Sequence, residues 1–107
     1  MKVMKFGGSS VATPARIQSV IEIIKPYLLD EVAVVFSAFG GVTDALIQIS
    51  KLALEGNLEY KTRMAEMEKR HLDAVRELIN IQRQSSILAQ VKFMMNELED
   101  VLHGVYL

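Results

Sequence analysis

Lys5-Phe6-Gly7-Gly8-Ser9-Ser10 is the first stretch of this chain with the means to do chemistry. Glycines leave main-chain N–H groups bare, because no Cβ stands in front of them, and N–H groups turned outward at a strand end hold anions. Lys5 adds a fixed positive charge beside that turn. A second stretch, Ser37-Ala38-Phe39-Gly40-Gly41, repeats the theme after another apolar run. Two such turns and a lysine suit the holding of phosphate. Each piece alone has a plainer reading: Gly-Gly after a strand is often only a tight turn, and a strand-end lysine is usually solvated. Recurrence and combination favour the anion reading. The string is neither G-x-x-x-x-G-K-[ST] nor G-x-G-x-x-G, which disfavours a P-loop and a dinucleotide fold.

The elements that must position these turns are legible in the periodicity. Val3 to Phe6 reads as a short strand. Thr13, an N-cap type, and Pro14, suited to the first helical position, open a helix reaching about Lys25, with Ile17, Val20, Ile21 and Ile24 on one face. Pro26 disfavours helix at Lys25. Val32 to Ser37 is apolar and β-branched, the pattern of a strand buried on both faces of a parallel sheet. Thr43 or Asp44 then caps a helix carrying Leu46, Ile49, Leu52 and Ala53, stopped at Gly56. Strand, helix and strand make a βαβ unit whose two glycine turns share the carboxyl edge of the sheet, where ligands bind. Beyond Gly56 a helix from Leu58 to about Ile81 presents Tyr60, Met64, Met67, His71, Val75 and Leu78. Gln82 to Ser86 reads as a connection, and a last helix with Leu88, Val91, Met95, Leu98 and Leu102 ends near Gly104. The two form an antiparallel hairpin. The expected division is residues 1–56, a βαβα phosphate-binding unit, and 57–107, the hairpin.

Composition narrows the function classes. The 107 residues are half apolar, with a formal net charge of −1, so no global basic field draws nucleic acid or an anionic membrane. Without cysteine, disulfides and thiolate metal sites are excluded. Gly7 to Thr13 interrupts any leader-like apolar run, and a cytoplasmic protein is the default. His71 and His103 lack ligand partners at metal spacing and read as structural. The six methionines read as core filler, and Glu66 to Arg70 as a solvated helix face. Two strands are few for a sheet covered by helices, and the apolar ending Val105-Tyr106-Leu107 adds to the expectation of a truncated domain.

Lys5-Phe-Gly-Gly-Ser-Ser-Val-Ala12 resembles the opening signature of the aspartate kinases, within the amino-acid kinase superfamily, with Ser9 at a serine-or-threonine position. Ser37-Ala-Phe-Gly-Gly-Val-Thr-Asp44 is similar to the family's second motif. Leu102-His-Gly104 is reminiscent of the bifunctional aspartate kinase–homoserine dehydrogenases. The resemblance implies the N-terminal part of a three-layer α/β/α catalytic domain, and transfer of the γ-phosphoryl of ATP to the side-chain carboxylate of L-aspartate. That is the first step toward lysine, threonine and methionine. It implies Lys5 as the catalytic cation, Gly7, Gly8, Ser9 and Gly40 or Gly41 on the phosphates, Ser37 and Thr43 toward aspartate, Mg²⁺ arriving with ATP, and a homo-oligomer. The 107 residues alone are expected to lack turnover, because the family's adenine contacts, second lysine and amino-acid-gripping residues lie in later sequence. Two alternatives stand beside this reading. One is another amino-acid kinase, against which Ser9 and the Ser-Ala…Thr-Asp motif argue. The other is a non-catalytic helical self-association module built from Leu58 to Leu107.

Overall fold

The computed structural model describes all of residues 1–107. Its order is β1 (Lys2–Phe6), a 3-10 turn (Gly8–Val11), α1 (Pro14–Ile24), a second 3-10 turn (Lys25–Tyr27), β2 (Val32–Phe36), α2 (Val42–Leu54), α3 (Glu59–Leu78) and α4 (Ile81–Tyr106). The chain divides into two units, Met1–Thr43 and Asp44–Leu107. That division falls at the start of α2, earlier than the 56/57 boundary read from the sequence.

The first unit is a βαβ. β1 and β2 pair in parallel, with Lys2 opposite Val32 and Phe6 opposite Phe36. Side chains alternate along a strand, so Met4, Phe6, Val34 and Phe36 share one face, and Val3, Lys5, Ala33 and Val35 the other. The Phe6 and Phe36 rings stack at 6.1 Å between centroids. α1 lies over that face: Val20 lines one cleft with Phe6 and another with Phe36. α1 starts as its sequence dictates. The Thr13 Oγ1 accepts from the Arg16 N–H at 3.2 Å, and Pro14 follows. Pro26 turns the end into a 3-10 turn.

The second strand is not buried on both faces, contrary to its pattern. Val35 is 49% exposed and Phe36 58%. A two-stranded sheet has a single paired edge per strand, and α1 covers only one face.

The second unit is held by side chains. Ile49 and Ala53 of α2, Tyr60, Met64, Met67 and Ala74 of α3, and Leu102 of α4 are buried. α2 closes with a left-handed Gly56 at φ 72°, its N–H donating to Ala53 and that of Asn57 to Leu52, which occupies carbonyls the helix leaves open. α3 and α4 run antiparallel. Tyr60 meets Tyr106 at 5.6 Å between ring centroids, Glu68 pairs with Lys92, and the Gln84 amide donates to the Arg76 carbonyl. Their connection is Ile79-Asn80, not Gln82 to Ser86. Gln84, read as a loop residue, is helical and donates to the carbonyls of both Arg76 and Ile79, satisfying acceptors at the end of α3. α4 also runs past Gly104 to Tyr106. One glycine costs a helix only about 1 kcal/mol, and the turns on either side outweigh it.

Candidate functional site

Every sequence-predicted site residue lies in the first unit. The Phe6 carbonyl accepts from the Ser37 N–H at 3.0 Å, which carries the pairing one step past β2 and fixes where the two turns leave the sheet. Both turns then sit at the carboxyl edge. Their backbones touch. A Cβ placed on Gly40 would stand 3.0 Å from the Gly8 carbonyl oxygen and 3.0 Å from the Ala12 Cβ. One placed on Gly8 would stand 3.3 Å from the Ala38 carbonyl oxygen and 3.4 Å from the Gly40 Cα. Neither position has comfortable room for a side chain, so the glycines at 8 and 40 are what let the turns close on one another.

Gly40 and Gly41, left as alternatives by the sequence, have different reasons to be glycine. Gly40 is a close-approach glycine. Gly41 has φ 87°, a backbone conformation that side chains disfavour, and it turns the chain into α2. The Val42 N–H donates to the Phe39 carbonyl at 3.0 Å, so the helix begins at Val42. Thr43 and Asp44 therefore sit inside its first turn instead of capping it. The Thr43 and Ser37 side chains are exposed.

The first turn also differs from a glycine loop feeding straight into a helix. Gly7 is extended at φ −78° and ψ 174°, and Gly8 to Val11 form a 3-10 turn in which the Ser10 N–H donates to the Gly7 carbonyl at 3.1 Å. Ala12 and Thr13 separate that turn from α1. The amides of Gly8 and Ser9 open the 3-10 turn and have no acceptor within it. These are the donors the structure offers to an anion, along with the exposed Ser9 and Ser10.

Lys5 is exposed on the sheet face opposite α1, and its side chain makes no hydrogen bond or ion pair. Lys2, at the other end of β1, is engaged over the Tyr27 ring at 4.1 Å. From Met1 to Ile21 the only charged side chains are Lys2, Lys5 and Arg16, and residues 32–43 have none. Within the first unit the charges flanking the two turns are thus cationic, although the whole chain is slightly acidic and Asp44 follows in the first turn of α2. Arg16 is the residue that sequence reading missed. Its guanidinium donates to the Ser9 carbonyl at 2.8 Å and lines a cleft of about 340 Å³ with Phe6, Ser9, Ser10 and Val20. Its position one helical turn after the Thr13 cap was the available signal. No group of three or more His, Asp or Glu is placed to hold a metal ion, and no helix is long and apolar enough to cross a membrane.

Comparison with known proteins agrees with the motifs. The chain is 33% identical to aspartokinase 1, chloroplastic, of Arabidopsis thaliana over 96% of its own length and 18% of that protein. It is 31% identical to the bifunctional aspartokinase/homoserine dehydrogenase of Buchnera aphidicola, over 100% of this chain and 14% of that one. With bifunctional aspartokinase/homoserine dehydrogenase 2, chloroplastic, of Zea mays the figures are 28%, 98% and 12%. The chain spans less than a fifth of the length of these relatives. The sequence profile described as "Amino acid kinase family" matches residues 1–102, and the chain belongs to that family.

Proposed function

We propose that this chain supplies the phosphate-holding corner of an aspartate kinase. The observation behind the reading is the backbone contact between Gly8 and Gly40, which closes two glycine turns on one another at a sheet edge, with Lys5 and Arg16 as the cations of that unit beside the first turn. The names of the relatives favour aspartate over other acceptors. In the reaction, an aspartate side-chain oxygen attacks the γ-phosphorus of ATP. A new P–O bond forms as the bond to the bridging oxygen of ADP breaks, giving 4-phospho-L-aspartate and ADP. Such a transfer asks the protein for alignment and charge neutralisation more than for covalent help. Lys5 is the cation for the moving group, the Gly7, Gly8 and Ser9 turn and the Gly40-Gly41 turn hold phosphate oxygens, and the Ser37 and Thr43 hydroxyls face the amino acid. Mg²⁺ enters with ATP and is held by phosphate oxygens and water. The wider expectations, a three-layer α/β/α domain and a homo-oligomer, belong to the same proposal.

The test exchanges this chain for the matching segment of the Arabidopsis aspartokinase and measures aspartyl-hydroxamate formation. The exchanged enzyme is expected to be active, and Lys5→Ala in it to lower kcat by about 10²-fold or more. An exchanged enzyme that folds and binds ATP, yet does not phosphorylate aspartate, defeats the assignment of substrate.

A second reading, helical self-association, has its own support. Phe93, Met94 and Val101 of α4 are 64%, 68% and 65% exposed, apolar side chains on one helix that a second copy could cover. Sedimentation of the chain at rising concentration decides it: a monomer throughout rejects self-association.

A further inference from the structure

The glycines that make the first turn permissive also make it loose, and something must hold it. The Ser9–Ser10 peptide is gripped at both ends. Its carbonyl accepts from the Arg16 guanidinium at 2.8 Å, and its N–H donates to the Gly7 carbonyl at 3.1 Å. A peptide tied through both oxygen and nitrogen resists rotation about its flanking bonds. The second of those ties fixes the next unit in turn. The Gly7–Gly8 peptide is planar and trans, so anchoring the Gly7 carbonyl points the Gly8 N–H the opposite way, out of the 3-10 turn. Arg16 is itself anchored, its own N–H bound by the Thr13 hydroxyl at 3.2 Å.

We propose that Arg16 is the positioning residue of the first glycine turn: through the Ser9–Ser10 and Gly7–Gly8 peptides it aims the Gly8 amide at the bound anion. The inference rests on the phosphate reading for its ligand, but the latch is a property of the chain alone. It is also specific to a guanidinium, which reaches an oxygen from a long, planar, permanently charged donor.

The test uses the 107-residue chain, its Arg16→Met and Arg16→Lys variants, and Lys5→Ala as reference. Amide exchange with water is measured by NMR, Mg·ATP affinity by calorimetry and Tm by circular dichroism. Arg16→Met is expected to speed Ser10 exchange about tenfold, as loss of one charge-assisted hydrogen bond implies, and to weaken Mg·ATP by a similar factor. The Val20 and Ile21 amides of α1 and the Tm should hold, and Arg16→Lys should restore part of both losses. Unchanged Ser10 exchange in Arg16→Met overturns the latch. Faster exchange with undiminished ATP affinity, where Lys5→Ala abolishes binding, overturns the positioning role. If wild type and Lys5→Ala alike fail to bind, the 107 residues hold no phosphate site of their own and the positioning role in this chain falls, while Ser10 exchange still decides the latch.

Discussion

The two units of this chain reach order by opposite means. In the first, Met1 to Thr43, backbone meets backbone: a parallel ladder, two glycine turns in contact, a peptide tied at both ends, and only Val11, Val20 and Val42 buried among its large side chains. In the second, Asp44 to Leu107, ordinary helices are joined by buried Ile49, Tyr60, Met64, Met67 and Leu102. Turns that touch through their backbones depend on where side chains are absent, whereas a helical hairpin depends on where they are present. Removing side-chain volume should therefore damage the second unit, and adding it should damage the first.

The comparison breaks most visibly at Met64, buried to 2% exposure in α3. Met64→Ala should cost about 2–5 kcal/mol through lost burial and a residual cavity, read as a lowered urea midpoint of helical ellipticity. If stability is unchanged, the hairpin is not held by that core. Adding a methyl in the first unit is the converse. Gly40→Ala should cost roughly 1–3 kcal/mol and abolish Mg·ATP binding, since its Cβ meets backbone. Gly7→Ala, with nothing within 4 Å and φ −78°, should leave stability within about 0.5 kcal/mol of wild type. Equal effects at the two glycines would show that the turns do not touch in solution.

A finer cut is available at Tyr60, wholly buried with its hydroxyl lacking any hydrogen-bond partner. Tyr60→Phe removes the stranded group and keeps the ring, so it should stabilise the second unit by about 1 kcal/mol in the same denaturation assay. A loss of stability instead would mean that the hydroxyl is satisfied by water. The smallest effect is electrostatic. The Lys69 ammonium hydrogen-bonds the Asp73 carboxylate and holds its pKa below the ordinary 3.8, with the Arg76 guanidinium adding to the pull. A lowered folded-state pKa means the pairs favour the folded helix above about pH 4 and stop doing so as the pH falls through the folded value. Acid titration of α3 helicity should therefore be shallower in a Lys69→Met, Arg76→Met double variant. Identical curves would assign these exposed pairs no role.

How much of this was legible follows the same contrast. Elements written in side chains were read well: the α1 start at Thr13-Pro14, the β2 run from Val32, the stripe Tyr60–Met64–Met67 and the stop at Gly56. Both glycine motifs were found because glycine is itself a letter. What the sequence hid was relational. Nothing in the string distinguishes Gly40, glycine because Gly8 is near, from Gly41, glycine because φ is positive. Arg16 drew no reading from the sequence, since its partner is a carbonyl, and carbonyls are the same at every position. The connection at Ile79-Asn80 was misplaced for a related reason: Gln84 can serve a loop or cap the preceding helix from within the next, and only geometry chooses. The apolar pattern of β2 was read as two-sided burial, though alternation in a strand reports composition on each face and not whether another layer is present.

The contact between Gly8 and Gly40 has one more consequence, and it concerns time. Residues so far apart in sequence meet only when β2 lies beside β1, so the closure entropy of that loop is part of the cost of forming the contact. A chain emerging from synthesis with Lys5 to Ser10 already exposed has the first turn without its partner turn. The contact and the crossover depend on the same strand pairing, and any ligand that bound the pair of turns would favour the docked strand. On the proposed reading, a phosphate group held there would stabilise the fold as well as serve the reaction.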